Sequence, residues 1–204
     1  MHRWLRDLVV PRRWRTVDEG PTWQPVRDHY IARWGEPEES FHPVRSGNQS
    51  GFPGEVVAWP EDLTADLGVK IYATVGASTF VSGDGHASEF VCGVASDCPG
   101  IADGLADLST VVVRNGLGVG HGSTFAFAKP LWRGTRMTAM LCLQQEGTID
   151  TLVGPGWHVE FYQAMPVFTY EVAIKRRDGV SGLLAWWQEN ETRFWDPHRT
   201  PTSG

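Results

Sequence analysis

Alternating apolar and polar positions predict strands in the first half of the chain. Residues 69–75 alternate as a half-buried strand does. Residues 56–59 and 89–95 are short runs rich in β-forming side chains. Gly83-Asp-Gly85 lies between the second and third of these segments in chain order, and it predicts a hairpin turn because these residues accept tight-turn backbone angles.

A stripe of apolar residues at helical spacing predicts a central helix. Pro99 begins this helix, and Gly116 ends it shortly after Asn115. The apolar positions recur every three or four residues, as the buried face of a helix does. They are Ile101, Leu105, Leu108, Val111 and Val112.

Further helices and strands are predicted on both sides of this element. Helical patterns occupy residues 22–34, 167–177 and 181–190, and an Asp-Gly pair separates the last two. Two more strands are predicted at residues 137–143 and 157–165. Strands in the middle, with helices at the ends and in one insertion, are typical of an α+β fold.

The predicted fold is therefore α+β, with a mixed, mostly antiparallel sheet flanked by helices. Residues 35–54 are rich in glycine, proline, serine and glutamate, and they predict a loop. The length fits a single domain, which we place at residues 21–200. Residues 1–20 are expected to form an N-terminal extension, and residues 201–204 a disordered tail.

The net negative charge argues against a nucleic-acid partner and favours a basic protein partner. The chain carries a net charge of −6 with a pI of about 5.6, and its body offers no basic stripe of the kind that binds nucleic acid. An acidic surface suits a basic protein partner, although it also keeps a protein soluble. Ten tryptophans supply both core and binding surface. Acidic loops and exposed tryptophan are our candidate partner surface, namely Glu38, Glu39, Asp84 and Trp132.

The cysteines and the hydropathy pattern indicate a reduced cytoplasmic protein. There are three cysteines, an odd number without close spacing, so a disulfide framework is not expected. No run reaches the ~18–20 apolar residues that span a bilayer. We therefore expect neither disulfides nor a membrane partner.

Two segments resemble catalytic loops but are incomplete. The glycine-rich residues 116–122 follow a helix and precede a strand, whereas a phosphate loop follows a strand and opens a helix. Ser78 follows a strand and Gly76, but position 80 is phenylalanine where a nucleophile elbow needs glycine. Neither segment predicts an enzyme.

Metal-binding and carboxylate chemistry are also weakly supported. Six histidines and cysteines could in principle bind metal, but none forms a closely spaced pair: His86, Cys92, Cys98, His121, Cys142 and His158. Glu160 and Glu171 lie within strand and helix patterns and show no defined separation. We predict no catalytic residue, no metal and no cofactor. An enzyme or metal protein using Ser78, His121 or Cys142 stays open as the weaker alternative.

Four stretches in consistent order resemble the suppressor of fused (Sufu) family. Val159-Glu-Phe-Tyr-Gln-Ala-Met-Pro-Val-Phe-Thr-Tyr-Glu171, followed by Gly179 and Gly182-Leu-Leu184, is similar to the family strand V-x-F-x-Q-x-x-P-[VL]-x-x-x-E and then G-x-x-x-L-L. Residues 72–78 resemble its Y-x-T-x-G-x-S strand, and residues 104–115 with 120–121 resemble its central helix and the glycine-histidine turn that follows. Residues 196–199 resemble its closing element. The motif residues are Tyr72, Thr74, Gly76, Ser78, Gly120, His121, Phe161, Gln163, Pro166 and Glu171.

The resemblance implies a non-enzymatic protein-binding module. Single-domain bacterial members of the family resemble immunity proteins of polymorphic toxin systems, so we expect an immunity-type protein that neutralises a basic toxin. A general scaffold or regulatory binding protein is the alternative. For the motif residues themselves we expect structural roles. Gly76 is expected to serve backbone geometry, Pro166 to stop a strand, and Gln163, Glu171 and His121 to satisfy buried backbone groups.

Overall fold

The computed structural model describes residues 23–42, 52–61, 68–79, 85–144 and 149–201. The predicted extension at 1–20, residues 202–204 of the predicted tail, and the turn residues Gly83 and Asp84 lie outside these ranges. Three helices are present: α1 Trp23–Trp34, α2 Gly100–Asn115 and α3 Thr169–Glu189. Eight strands accompany them: β1 Glu39–Phe41, β2 Glu55–Trp59, β3 Lys70–Val75, β4 His86–Val94, β5 Ser123–Ala126, β6 Ala139–Gln144, β7 Leu152–Gly154 and β8 Trp157–Val167.

The strands form one mixed sheet in the order β1-β2-β3-β4-β8-β6-β5. Among the described strand pairs only β4 and β8 run parallel, and they lie side by side near the centre of the sheet. The strand β7 pairs with the first residues of β8, on the edge that β6 occupies farther along. The predicted α+β class with a mostly antiparallel sheet is confirmed.

Helices cover both faces of the sheet. The stripe on α2 packs against Tyr72, Phe90 and Tyr162 on one face. Because side chains alternate along a strand, Phe161 points to the opposite face, where α1 packs through Val26, Tyr30 and Trp34. The helix α3 covers the same face as α1, over β6 and the end of β8. The central helix ends as predicted, since Gly116 adopts a left-handed conformation and its N–H closes the last turn.

Several predicted segments differ from the observed ones. The loop predicted at 35–54 contains β1, a strand too short to show a period, which forms by pairing with β2. The strand β7 was not predicted for the same reason. The structure has β3 and β4 paired antiparallel with a 3-10 turn at Ala77–Thr79 in their connection, and Gly83 and Asp84 of the predicted turn lie outside the described residues.

The strand β8 is longer than predicted, and Pro166 does not end it. Pro166 lies opposite Met140 within the sheet, and α3 starts only at Thr169 instead of Val167. The pairing of β8 with β4 stops at Gln163, so no described strand needs the N–H that proline lacks. The predicted break at Gly179 is confirmed, because this residue has φ 77° and interrupts the helical angles of α3.

Candidate functional site

A buried carboxylate, Glu89 on β4, gathers three residues of the Y-x-T-x-G-x-S stretch. Its Oε1 accepts hydrogen bonds from the backbone N–H of Gly76 and of Ser78 at 2.9 Å each, and from the Ser78 hydroxyl at 2.7 Å. Its Oε2 accepts a hydrogen bond from the Thr74 hydroxyl at 2.5 Å. Glu89 is fully buried, and burial raises its pKa while these hydrogen bonds oppose the rise. The stretch therefore forms a binding pocket for a carboxylate of the same chain.

This arrangement explains Gly76 and Ser78. Gly76 has φ 113°, and a Cβ atom there would lie 2.8 Å from the Trp23 ring nitrogen, so a side chain is excluded. The hydroxyl of Ser78 is directed at Glu89 and the residue is 1% exposed. Ser78 is therefore not placed to attack a substrate. Thr74 completes the set by accepting a hydrogen bond from the backbone N–H of Phe90 at 2.8 Å.

A second buried carboxylate is the motif residue Glu171 at the start of α3. Arg199 donates to both of its oxygens, at 2.6 and 2.8 Å. Glu171 also accepts from the Trp187 ring at 2.7 Å and from the backbone N–H of Phe168 at 2.7 Å. Arg199 in turn donates to the carbonyl of Pro166 at 2.9 Å. The closing element thus locks β8 and α3 together through a buried, bidentate ion pair.

Tyr72 connects the sheet to an ion-pair cluster around Lys70, the first residue of β3. Its hydroxyl donates to Asp97 at 2.8 Å and accepts the backbone N–H of Cys98 at 3.1 Å. Lys70 bridges Asp97, at 2.7 Å, and Glu39. Hydrogen bonds from Lys70 and then Tyr72 lower the pKa of Asp97, whereas burial raises the pKa of Tyr72. Glu39, a predicted partner residue, is thus half-exposed and already engaged within the chain.

The remaining motif and candidate residues lie apart from one another. The carbonyl of Gly120 accepts the Ser123 N–H at 2.9 Å in a tight turn, and the adjacent His121 is exposed, which does not match its expected role for buried groups. Glu38 is exposed, while Asp84 lies outside the described residues. Trp132 is only 9% exposed and packs on Gly100, so the expectation that it is an exposed tryptophan is wrong.

The cysteines are core residues. Cys92, Cys98 and Cys142 are free thiols, and all three are buried. Burial raises the pKa of Cys92 to about 12 and also raises the pKa of Cys142. Thiols of this kind stay protonated near neutral pH, so Cys142 is a poor nucleophile and a poor metal ligand.

An apolar groove of about 410 Å³ opens on the face of the sheet that α1 and α3 share. Three neighbouring strands line it through Ile71, Val91 and Phe161, and the segment after α3 adds Phe194 and Trp195. Its volume is in the range of ligand-binding pockets. Trp195 is 40% exposed, which is unusual for so large an apolar side chain. The groove can therefore take up apolar side chains of a bound molecule.

Gln163 gives the groove a polar feature. This motif residue is half-buried on β8 and lines the groove. Its side-chain Oε1 is buried and accepts no hydrogen bond from the described residues. The expectation that Gln163 satisfies a buried backbone group is therefore not met by this atom, which is left available for an N–H donor.

The structure brings together His86 and His158, two of the metal-binding candidates named from the sequence, with Glu160. His86 and His158 lie directly opposite each other on β4 and β8, with His158 Nε2 2.7 Å from His86 Nδ1. Glu160 lies two residues along β8, with Oε1 3.8 Å from His86 Nδ1. The two histidines are 72 residues apart in the chain, so spacing gives no signal for the pair. Only the parallel register of β4 and β8 joins them.

None of the helices within the described ranges is long and apolar enough to cross a membrane.

No curated protein matches the chain. Several solved structures share its fold. A SUFU homologue from Neisseria gonorrhoeae FA 1090 is 18% identical, with a TM-score of 0.64 over 89% of this chain and 96% of its own. The Sufu–Fu complex gives 17% identity and a TM-score of 0.63 over 83% and 84% of the two chains.

Drosophila Suppressor of Fused is 16% identical, with a TM-score of 0.67 over 91% of this chain. The match covers 52% of the Drosophila chain, so the present chain corresponds to about half of that protein. The sequence model of the suppressor of fused protein (SUFU) family matches residues 55–200, the same span that carries the Glu89 and Glu171 centres. The chain belongs to the suppressor of fused family.

Proposed function

We propose that this domain is a protein-binding module that holds a segment of its partner in the apolar groove. The observation that carries the proposal is the groove itself, with its partly exposed Trp195 and the unpaired Oε1 of Gln163. An aromatic or aliphatic side chain of the partner would fill the groove, and a backbone N–H would meet Gln163. Anchors of this kind, in desolvated pockets, carry most of the binding energy of protein interfaces.

The structural roles of the motif residues, outside the groove, support a binding function. Thr74, Ser78 and Glu171 are consumed in buried hydrogen bonds that stabilise the fold, which leaves no catalytic set among them. The Sufu–Fu complex shows a protein of the same fold bound to another protein. A non-enzymatic binding role is the function that fits both observations.

The finer proposal is that the partner is a basic toxin and that this protein neutralises it. Its support is the net charge of −6, because a protein with excess negative charge attracts a basic partner. The rate of association of the two proteins would therefore fall as salt is added.

The functional test is co-expression with the product of the neighbouring gene. Rescue of growth from a toxic neighbour, together with co-purification of the two proteins, is the expected result. A harmless neighbour, or a toxic one that forms no complex, would reject the toxin assignment. In that case a specific partner encoded elsewhere in the genome, captured by pull-down and blocked by the groove variants below, would support the general scaffold instead.

Replacing Trp195 with alanine is expected to weaken partner binding at least tenfold. The side chain forms one wall of the groove, and tryptophan anchors are worth about 2 kcal/mol or more, where 1.4 kcal/mol is tenfold in affinity. Gly93→Ala should also weaken binding, since its Cβ atom would stand on the groove floor, 3.0 Å from Val69 Cγ2 and 3.7 Å from Val69 Cβ. Isothermal titration calorimetry with the captured partner measures both.

Trp23→Ala is the matched control for this experiment. Trp23 is 43% exposed, close to the 40% of Trp195, but it lies at the start of α1 and does not line the groove. Its loss should leave affinity unchanged. Equal weakening by both tryptophan variants, with both still folded, would show that the partner binds elsewhere on the surface.

A further inference from the structure

The cluster of His86, His158 and Glu160 lies on the sheet face opposite the groove. Along β8, His158 and Glu160 alternate with Val159 and Phe161, and only the latter two face the groove side. His86 is 49% exposed at its side chain and Glu160 21%. The cluster is therefore reachable from solvent and is separate from the proposed partner site.

Backbone geometry fixes the two histidines against each other. Two glycines with positive φ, Gly85 at 85° and Gly156 at 75°, precede the two strands. The carbonyl of Gly85 accepts the N–H of His158 at 2.9 Å, which starts the parallel ladder at the level of the histidines. The imidazole rings then lie 3.9 Å apart between centroids with a 70° angle between their planes. This pairing is set by main-chain register and not by flexible side chains alone.

The side chains present the right donor atoms for a transition metal. One nitrogen from each histidine and one carboxylate oxygen of Glu160 lie within 4.8 Å of one another. Around a tetrahedral zinc ion with bonds of about 2.0–2.1 Å, neighbouring ligand atoms lie about 3.3 Å apart. The 2.7 Å between the histidine nitrogens would widen slightly and the 3.8 Å to Glu160 would shorten, so small side-chain rotations suffice.

Glu160 is also oriented by a neighbour. The hydroxyl of Tyr162, two residues along β8 on the same face, donates to Glu160 Oε2 and lies 3.1 Å from the carbonyl oxygen of Val119. This leaves Oε1 directed toward the histidines. Outer partners that orient a ligating carboxylate are a regular part of metal sites, and their loss weakens metal binding about 10–100-fold.

We propose that His86, His158 and Glu160 form a binding site for a single divalent transition metal ion of the zinc type. Two imidazoles and one carboxylate leave a fourth position open to water or to a donor from another molecule. The site would bridge β4 and β8, the parallel pair at the centre of the sheet. Imidazole with carboxylate suits Zn²⁺, Co²⁺ and Ni²⁺ better than the hard cations Mg²⁺ and Ca²⁺, which prefer oxygen alone.

The test is competition between the full chain and a chromophoric chelator for Zn²⁺, followed by the visible absorption spectrum with Co²⁺. One equivalent of Zn²⁺ and the intense bands of four-coordinate Co²⁺ are expected for the unchanged protein. His158→Ala should weaken zinc binding at least tenfold and abolish the Co²⁺ bands. Tyr162→Phe should weaken it about tenfold without changing the stoichiometry.

His42→Ala is the control, because His42 is an exposed histidine that follows β1, which lies three strands away from β4 in the sheet. This variant should leave zinc affinity unchanged.

Glu160→Gln keeps the shape of the side chain and tests the same site if the His158→Ala variant fails to fold. Zinc binding that is absent in the unchanged protein, or equally strong in the folded His158→Ala and Glu160→Gln variants, would overturn the proposal.

Discussion

Replacing Arg199 with methionine is expected to lower the free energy of unfolding by about 3–5 kcal/mol. Arg199 is 6% exposed at its side chain, and Glu171, to which it donates twice, is fully buried. Methionine keeps most of the volume but leaves the carboxylate as an uncompensated buried charge, and breaking a buried pair in this way costs about that much. Urea denaturation followed by tryptophan fluorescence would show a lower midpoint at an unchanged slope.

The exposed pair of Arg177 with Asp178 supplies the control. Its hydrogen bonds are as short as 2.6 Å, yet both groups are surrounded by solvent. Surface pairs of this kind contribute little to stability. Arg177→Met should therefore leave the denaturation midpoint unchanged. If Arg199→Met were equally silent, the Glu171–Arg199 pair would not hold the closing element in solution.

Replacing Glu89 with alanine is expected to be similarly costly, about 3–5 kcal/mol. The change removes the acceptor of four hydrogen bonds, from two N–H groups and two hydroxyls. Buried donors without an acceptor cost about 1–3 kcal/mol each, although the costs are not fully additive. Thermal and urea unfolding measure the loss, and Glu38→Ala, at an exposed glutamate, should show none.

Glu89 also gives a pH dependence with a definite sign. Burial raises its pKa in the folded protein above the value of about 4.3 expected in the unfolded chain. Between these two values the folded state holds the proton and the unfolded state does not. The stability that protonated Glu89 contributes is thus fully present below its pKa in the unfolded chain. This contribution is lost as the pH rises through its pKa in the folded protein. Glu89→Gln lacks this loss, so its stability relative to the unchanged protein should increase from about pH 4 upward.

The sequence was informative about elements with a long pattern. The apolar stripe and closing Gly116 of α2 were sufficient to predict a 16-residue helix, because its buried face repeats over several turns. The strands β1 and β7 have three residues each, too few for any period to show. They form by pairing with β2 and β8, and this pairing depends on the tertiary structure.

The site was predictable only in part. The motif named Thr74, Gly76 and Ser78, but not Glu89, the carboxylate on which they converge. A signal was present, since Glu89 is a charged residue at the start of an otherwise β-forming run. The likeness at residues 196–199 likewise contained Arg199 without indicating its partner. The groove and the histidine cluster gave no signal, because both depend on strands that are distant in the chain and meet only through the parallel register of β4 and β8.

The pairing of β4 with β8 also sets how the chain must reach its native state. The two strands lie at the centre of the sheet, yet β5, β6, β7 and α2 separate them along the chain. Until β8 joins, the long strand β4 has an unpaired edge, and the loop to be closed runs from Val94 to Trp157. Folding dominated by such distant contacts is slow, and an open strand edge invites aggregation. During synthesis, the sheet can therefore be completed only after β8 has left the ribosome. The incomplete nascent chain, with β4 exposed at an open edge, is the species most prone to aggregation.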